Sequence, residues 1–351
     1  METGTRARNA SRLLKRSLVV VSICFVIPCF ILVVAELVVR LSLGKLTSTE
    51  SPRAATLAEL TSDQYEKLDR RLGWVPSENR SNGAGDFEEE PVIVAVGDSY
   101  TWGVGVEDHE TWPAFLERLL GVHVENAGVG AYGFDQIVFR AEEIMAQNDV
   151  DLLIVGLITD DIARCEKCFK FGRWKPYFTV EDGSLVFHEA SIGAPPPPPD
   201  SMWLDLLDHS YFAHQILCSA LPADAVLGLH WFEPTMPTDC MTVARHLVAR
   251  LSDRCARAET DLVIVLQGSV GISGSFASQS EEFTPLVEAA TARGIPVLNL
   301  ASQMAKEFSD EAIASITAQD QRHLSSAGNE WVASQIAAIV APIILTPDRV
   351  E

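Results

Sequence analysis

Apolar residues recur along this chain in two rhythms. Short unbroken runs at 92–96, 122–125, 152–158, 262–266 and 296–299 have the length of buried strands bounded by polar turns. Between most of them apolar positions repeat at helical spacing, near 112–120, 134–147, 241–257, 282–293 and 326–342. Strands alternating with helices predict an α/β fold in which a parallel sheet is covered by helices on both faces.

Three segments break that rhythm. Leu18 to Ala35 is an uncharged apolar stretch of 18 residues that resumes at Leu37-Val38-Val39 after Glu36, and Arg6, Arg8, Arg12, Lys15 and Arg16 precede it. A bilayer-spanning helix needs roughly 20 mostly apolar residues, and basic residues before it keep the amino terminus cytoplasmic. The expected organisation is a basic cytoplasmic tail at 1–16 and an uncleaved transmembrane signal anchor at 17–43, a cleaved signal peptide being the competing reading. Glu36 and Arg40 share one helical face and can pair near the interface. Residues 44–90 are polar, contain Pro52, Pro76 and the run Ser81-Asn82-Gly83-Ala84-Gly85, and read as a stalk. The third segment, about 164–240, is an insertion too long for an ordinary connection between strand and strand. It carries five consecutive prolines, Pro195 to Pro199, and many aromatics, among them Phe169, Phe171, Trp174, Tyr177, Phe178 and Trp203. These are expected to form a small core of their own, in a cap that leaves the sheet beside the site and shapes its pocket.

Composition bounds the class of partner. The chain has 351 residues, 47% of them hydrophobic, enough for one large ordered α/β domain of residues 91–345 with its appendages. Residues 47–351 hold 20 basic and 46 acidic residues, a formal net charge of −26. Such a domain is not drawn to nucleic acid and is repelled by anionic lipid, which favours neutral substrates. Cys24 and Cys29 fall in the apolar segment, leaving Cys165, Cys168, Cys218, Cys240 and Cys255. In an exported domain one or two disulfides are expected among these five. Cys165 and Cys168 have no second Cys-x-x-Cys or His pair to complete a zinc site, so no metal is expected.

The candidate chemistry lies where the first strand ends. Val92 to Val96 runs into Gly97-Asp98-Ser99, and far downstream Asp320 precedes His323 by three positions. A hydroxyl just past a buried strand sits at the carboxyl edge of the sheet, where open α/β folds bind ligands. Ser99 requires a base in hydrogen-bond reach and a carboxylate to orient that base. His323 and Asp320 supply both from one turn of chain.

With these fragments in order the chain resembles the SGNH/GDSL hydrolase family. VGDSYTWGVGVEDHETWPAFLERLL, Val96 to Leu120, is similar to the family's first block, and NAGVGAYGFDQ, Asn126 to Gln136, to its second. DLLIVGLITDD, Asp151 to Asp161, resembles the third and DQRHLSSAGNEWVA, Asp320 to Ala333, the last. The resemblance implies a three-layer α/β/α sandwich around a mostly parallel, flavodoxin-like sheet. It further implies an acyl-enzyme mechanism without cofactor, Ser99 being the nucleophile, His323 the base and then acid, and Asp320 its partner. The implied oxyanion donors are Ser99, Ala131 in place of the usual glycine, and Asp160 in place of the usual asparagine, with Thr159 as the alternative register. An ionised aspartate repels an oxyanion, whereas a protonated one, or threonine, donates to it. The expected function is hydrolysis of carboxylic esters, such as O-acylated envelope glycans, by a membrane-anchored domain outside the cytoplasm. Acyl transfer by the same triad is one alternative. The other is a non-catalytic envelope binding or assembly module that keeps the fold with a degraded oxyanion hole.

Overall fold

The structure is a computed structural model that describes residues 26–48, 51–52, 67–76, 80, 92–170, 173–191, 208–220, 239–270, 275–320 and 322–345. The chain divides into two compact units, one comprising residues 1–62 and 196–232 and the other 63–195 and 233–351.

In the larger unit, β1 (Lys67–Asp69) and β2 (Gly73–Val75) form an antiparallel hairpin. A five-stranded sheet follows, built from β3 (Ile93–Val96), β4 (Val124–Asn126) and β5 (Leu152–Leu157). Two short hairpins come next: β6 (Phe169–Lys170) with β7 (Arg173–Trp174), and β8 (Tyr177–Glu181) with β9 (Ser184–His188). β10 (Asp261–Leu266) and β11 (Val297–Asn299) complete the sheet, whose order is β11-β10-β5-β3-β4 with every pair parallel. Order reverses between β3 and β5, so the crevice beyond their carboxyl ends is the topological switch point at which such sheets take ligands.

Strand residues alternate faces, and the core follows that period. Val94, Val96, Leu153, Val155, Leu157, Ile264 and Leu266 point to one face. There they meet the helices Phe134–Met145, Cys240–Ala258 and Thr284–Thr291 through Ile137, Ala141, Leu247, Leu251 and Leu286. Ile93, Ala95, Leu152, Ile154, Val263 and Val265 point to the other. That face is covered by Trp112–Leu120, Leu300–Glu307 and Ser326–Ile344 through Leu116, Met304, Val332 and Ile336. The expected α/β sandwich with a parallel sheet is therefore present. The helix expected at 282–293 is Thr284–Thr291, with Pro285 in a first-turn position where its missing N–H costs nothing, and a separate helix, Phe276–Glu282, precedes it.

Other expectations change. The stalk over 44–90 does not hold for 67–76: Leu72 and Trp74 are buried in the sheet's own core. Trp74 Nε1 donates to Gly130 O at 3.2 Å, and Gln136 Nε2 to Leu72 O at 2.7 Å. Two apolar residues separated by Gly73 make too short a pattern to stand out among turn residues. Arg80 reaches back to the carbonyls of Trp102, Gly103 and Val106. The insertion's aromatics likewise join the main core, since Phe178 and Phe187 lie against Phe139 with ring centroids 5.2 and 4.6 Å apart. The proline run and Phe171, Trp203, Trp231 and Phe232 lie outside the described residues. No disulfide forms among the described cysteines: Cys165, Cys168, Cys218, Cys240 and Cys255 are free thiols, and Cys165 is buried with its Sγ 3.6 Å from Asp161 O.

In the smaller unit a helix covers Ile27–Ser42 and another Tyr211–Ala220. Glu36 takes the expected bond from Arg40 Nε at 2.6 Å, and it also accepts the N–H groups of Tyr211 and Phe212 at 3.1 and 2.9 Å, capping the second helix. Among the described residues no helix is long and apolar enough to cross a membrane. The 16 residues of Ile27–Ser42 span about 24 Å, short of a ~30 Å hydrocarbon core. The expected anchor at 17–43 is thus not found in its described part; residues 17–25 lie outside the described residues.

Candidate active site

β3 hands over to the helix Ser99–Trp102 through Gly97 and Asp98. Glycine is required at 97 by proximity: a Cβ there would lie 2.1 Å from Thr101 Oγ1 and 2.8 Å from Gly156 O. Asp98 caps the helix, its Oδ1 accepting the Tyr100 N–H at 2.9 Å. Ser99 thereby occupies the first helical position at the carboxyl end of β3, where its own N–H has no intrahelical partner.

His323 comes from the loop before the helix Ser326–Ile344, 224 positions further along the chain. An antiparallel bridge between Thr317 and Leu324 closes the neck of that loop. Asp320 organises its tip: Oδ1 accepts the N–H groups of Arg322 and His323 at 2.9 and 3.0 Å, while Oδ2 meets His323 Nδ1 at 2.5 Å. An ionised carboxylate only accepts, so Nδ1 carries the proton and Nε2 is left as the acceptor for Ser99 Oγ, 2.9 Å away. Burial raises the Asp320 carboxyl, but the bonds from His323 and the two backbone N–H groups outweigh it and hold the group below its usual pKa. Asp320 is thus ionised wherever its histidine needs it. Asn329, buried in the following helix, fixes the far side of the loop by donating to Leu324 O and Ser325 O and accepting the Trp112 N–H at 3.1 Å.

The expected oxyanion positions are less ordinary. Ala131 follows β4 in a left-handed conformation, φ 66°, which a side chain disfavours by about 1–2 kcal/mol. Glycine adopts it freely, at an entropic cost in the unfolded chain of about 0.4–1 kcal/mol. Ala131→Gly is therefore expected to leave stability unchanged or raise it by up to about 1 kcal/mol, measured as the urea unfolding midpoint; a clear loss would show that the methyl group packs favourably.

Thr159 and Asp160 begin the helix Thr159–Ala163 beyond β5. Thr159 is buried with no partner for its hydroxyl among the described residues, whereas the Asp160 side chain is 36% exposed and its Oδ2 lies 3.8 Å from Arg164 Nη2. Asp161 caps this helix by accepting the Ile158 N–H at 2.9 Å. Arg164 Nη1 alone meets three groups: Asp161 Oδ1 at 2.7 Å, Tyr132 O at 2.8 Å and Asp98 Oδ2 at 3.3 Å. Asp98 Oδ2 is in turn 3.3 Å from Ser99 Oγ. One guanidinium thus joins the segments that carry Ser99, Ala131 and Asp160 and offsets three carboxylates around the nucleophile. Burial, and then the charge of Asp98, push the Asp161 carboxyl well above its usual value against the pull of Arg164. Asp160 and Asp161 lie four and three positions before Arg164, a spacing that signals an intrahelical ion pair. Its reach to Asp98 and Tyr132 has no such signal.

The comparisons with known proteins add the following. No family model matches the chain, and no curated protein does. Among solved structures the chain is similar to that of TesA, at 11% identity over 72% of this chain and all of that one, with a TM-score of 0.42. It is also similar to the lipase/acylhydrolase from Enterococcus faecalis, at 12% identity over 73% of this chain and 97% of that one, TM-score 0.42. A member of the lipolytic protein G-D-S-L family from Veillonella parvula aligns at 13% identity over 71% of this chain and 97% of that one, TM-score 0.38. Similarity at this level carries no functional argument, which rests on the geometry of Ser99, His323 and Asp320.

Proposed function

We propose that this chain is a serine carboxylic-ester hydrolase of the SGNH/GDSL type. The observation that supports it is the continuous hydrogen-bonded line from Ser99 Oγ to His323 Nε2, 2.9 Å, and from His323 Nδ1 to Asp320 Oδ2, 2.5 Å. In this reading Nε2 takes the Ser99 proton as Oγ attacks the ester carbonyl. The imidazolium, steadied by Asp320, then protonates the departing alcohol and leaves an acyl group on Ser99. Water repeats the sequence and releases the acid. The N–H groups of Ser99 and Ala131 and the amino-terminal turn at Thr159–Asp160 are the donors proposed for the oxyanion. The acidity of residues 47–351 favours neutral esters, among which O-acylated glycans suit the proposed location outside the cytoplasm. Attachment to the membrane is proposed from the basic residues Arg6 to Arg16 and the apolar stretch that follows them.

The test uses the full-length chain in detergent, a fluorophosphonate probe, p-nitrophenyl esters of short and long acids, and an acetylated glycan. Labelling and ester turnover that disappear in Ser99→Ala are expected. A folded wild-type protein that neither labels nor turns over any of these esters would overturn the reading and favour a binding module. Adding a sugar acceptor separates hydrolysis from acyl transfer, since only transfer diverts the acyl group from water to the sugar.

A further inference from the structure

The residue after the nucleophile is bound to the loop that carries the base. Tyr100 is buried, and its hydroxyl donates to the carbonyl of Arg322, the residue immediately before His323. The same oxygen accepts the Val270 N–H, four residues beyond the end of β10, at 2.8 Å. Its ring lies 5.3 Å from the His323 imidazole, inclined at 49°. A phenol that both donates and accepts has no rotational freedom left, and burial pushes its pKa up, so it stays a neutral donor.

The loop itself explains why such a link matters. The bonds that Asp320 accepts from the Arg322 and His323 N–H groups and from Nδ1, together with the Ala318 N–H to His323 O bond at 2.8 Å, are all internal. They hold the imidazole rigidly within its loop and leave its distance to Ser99 open. The Thr317–Leu324 bridge closes the neck without reaching β3. Among the described residues, the tip is hydrogen-bonded to the segment after β3 through the Ser99–His323 contact itself and the bond from Tyr100.

We propose that Tyr100 is a positioning residue that registers the Asp320–His323 pair against Ser99, so that consecutive residues of one helical turn hold the nucleophile and its base. The proposal rests on the hydrolase reading for its consequence in rate, and on geometry alone for its consequence in structure. A displacement of about 1 Å at a reacting group costs about a hundredfold in rate. Tyr100→Phe keeps the ring against His323 and removes only the hydroxyl. It is expected to lower kcat on p-nitrophenyl esters by at least about tenfold with KM within about twofold, and with the melting temperature nearly unchanged.

The second readout needs no turnover. In full-length protein labelled with 15N-histidine, the His323 Nε2 resonance, assigned with His323→Gln, should shift when Ser99 is replaced by alanine. That Ser99-dependent shift should vanish in the Tyr100→Phe background. Tyr100→Phe protein with unchanged kcat and an intact Ser99-dependent shift would overturn the proposal. So would a fall in activity that tracks a fall in melting temperature while the shift is retained, because packing alone would then account for it. If the wild type turns over nothing yet the shift is present and lost in Tyr100→Phe, the registration stands and the hydrolase reading falls. If the wild type is inactive and the shift survives the substitution, both fall.

Discussion

His323→Ala is expected to lower kcat on a p-nitrophenyl ester by on the order of a millionfold, and Ser99→Ala combined with it to be hardly worse. The reason is that the two groups perform one step. Without Nε2 at 2.9 Å, Ser99 Oγ keeps its proton; without Oγ, the imidazole has nothing to activate. The residual rate should come from substrate binding and the oxyanion donors, which neither substitution touches. Burst kinetics and intact mass after fluorophosphonate treatment measure both effects. Single losses that instead multiplied in the double variant would mean that Ser99 and His323 act independently, and the triad assignment would fail.

Arg164→Met is expected to be the most damaging change to the fold near the site, lowering unfolding free energy by about 3–5 kcal/mol. Its guanidinium is the counter-charge for Asp98 and Asp161, both buried, and Nη1 also holds Tyr132 O at 2.8 Å. Removing it strands two carboxylates away from water, which is far costlier than losing an exposed ion pair worth about 1 kcal/mol or less. The raised pKa of Asp161 sets a direction with pH: without Arg164 the Asp161 carboxyl must bind a proton to stay buried, so the variant should lose least stability in acid and most as pH rises. Arg164→Lys keeps the charge but not the planar fork and should fall between. Where Arg164→Met protein still folds at low temperature, ester turnover should drop, because at the proposed oxyanion site Asp160 then lacks the cation 3.8 Å away. Asp160→Asn in that background should recover part of the rate. Urea titrations at pH 5 and pH 8 with initial rates cover these arms; stability equal to wild type at both pH values would remove the counter-charge role.

The sheet was legible because strand burial and helix amphipathicity are local patterns. All five apolar runs became the strands β3, β4, β5, β10 and β11 within one or two residues. Ser99, Asp320 and His323 were legible because the turn chemistry that presents each side chain is written in adjacent residues: glycine before an aspartate cap, and an aspartate that bonds the N–H groups two and three positions on. The hairpin at 67–75 was not, since Leu72 and Trp74 become core only when Gly130, Tyr132 and Gln136 close over them. The left-handed Ala131 had one signal only, its place where the resembled family has glycine, because alanine itself carries no preference that would announce it.

What the chain determines by itself, then, is the order of strands and helices and the local turns that present the three side chains proposed to react, each set by interactions spanning a few residues. Tertiary structure alone decided the remainder: that Ser99 and His323 meet at 2.9 Å across 224 positions, that Tyr100 ties their two segments together, and that Arg164 turns an aspartate cluster into a partly neutralised wall. These depend on chain closure between segments distant in sequence, where a hydrogen bond or ion pair exists only once the whole sheet has brought its carboxyl edge together.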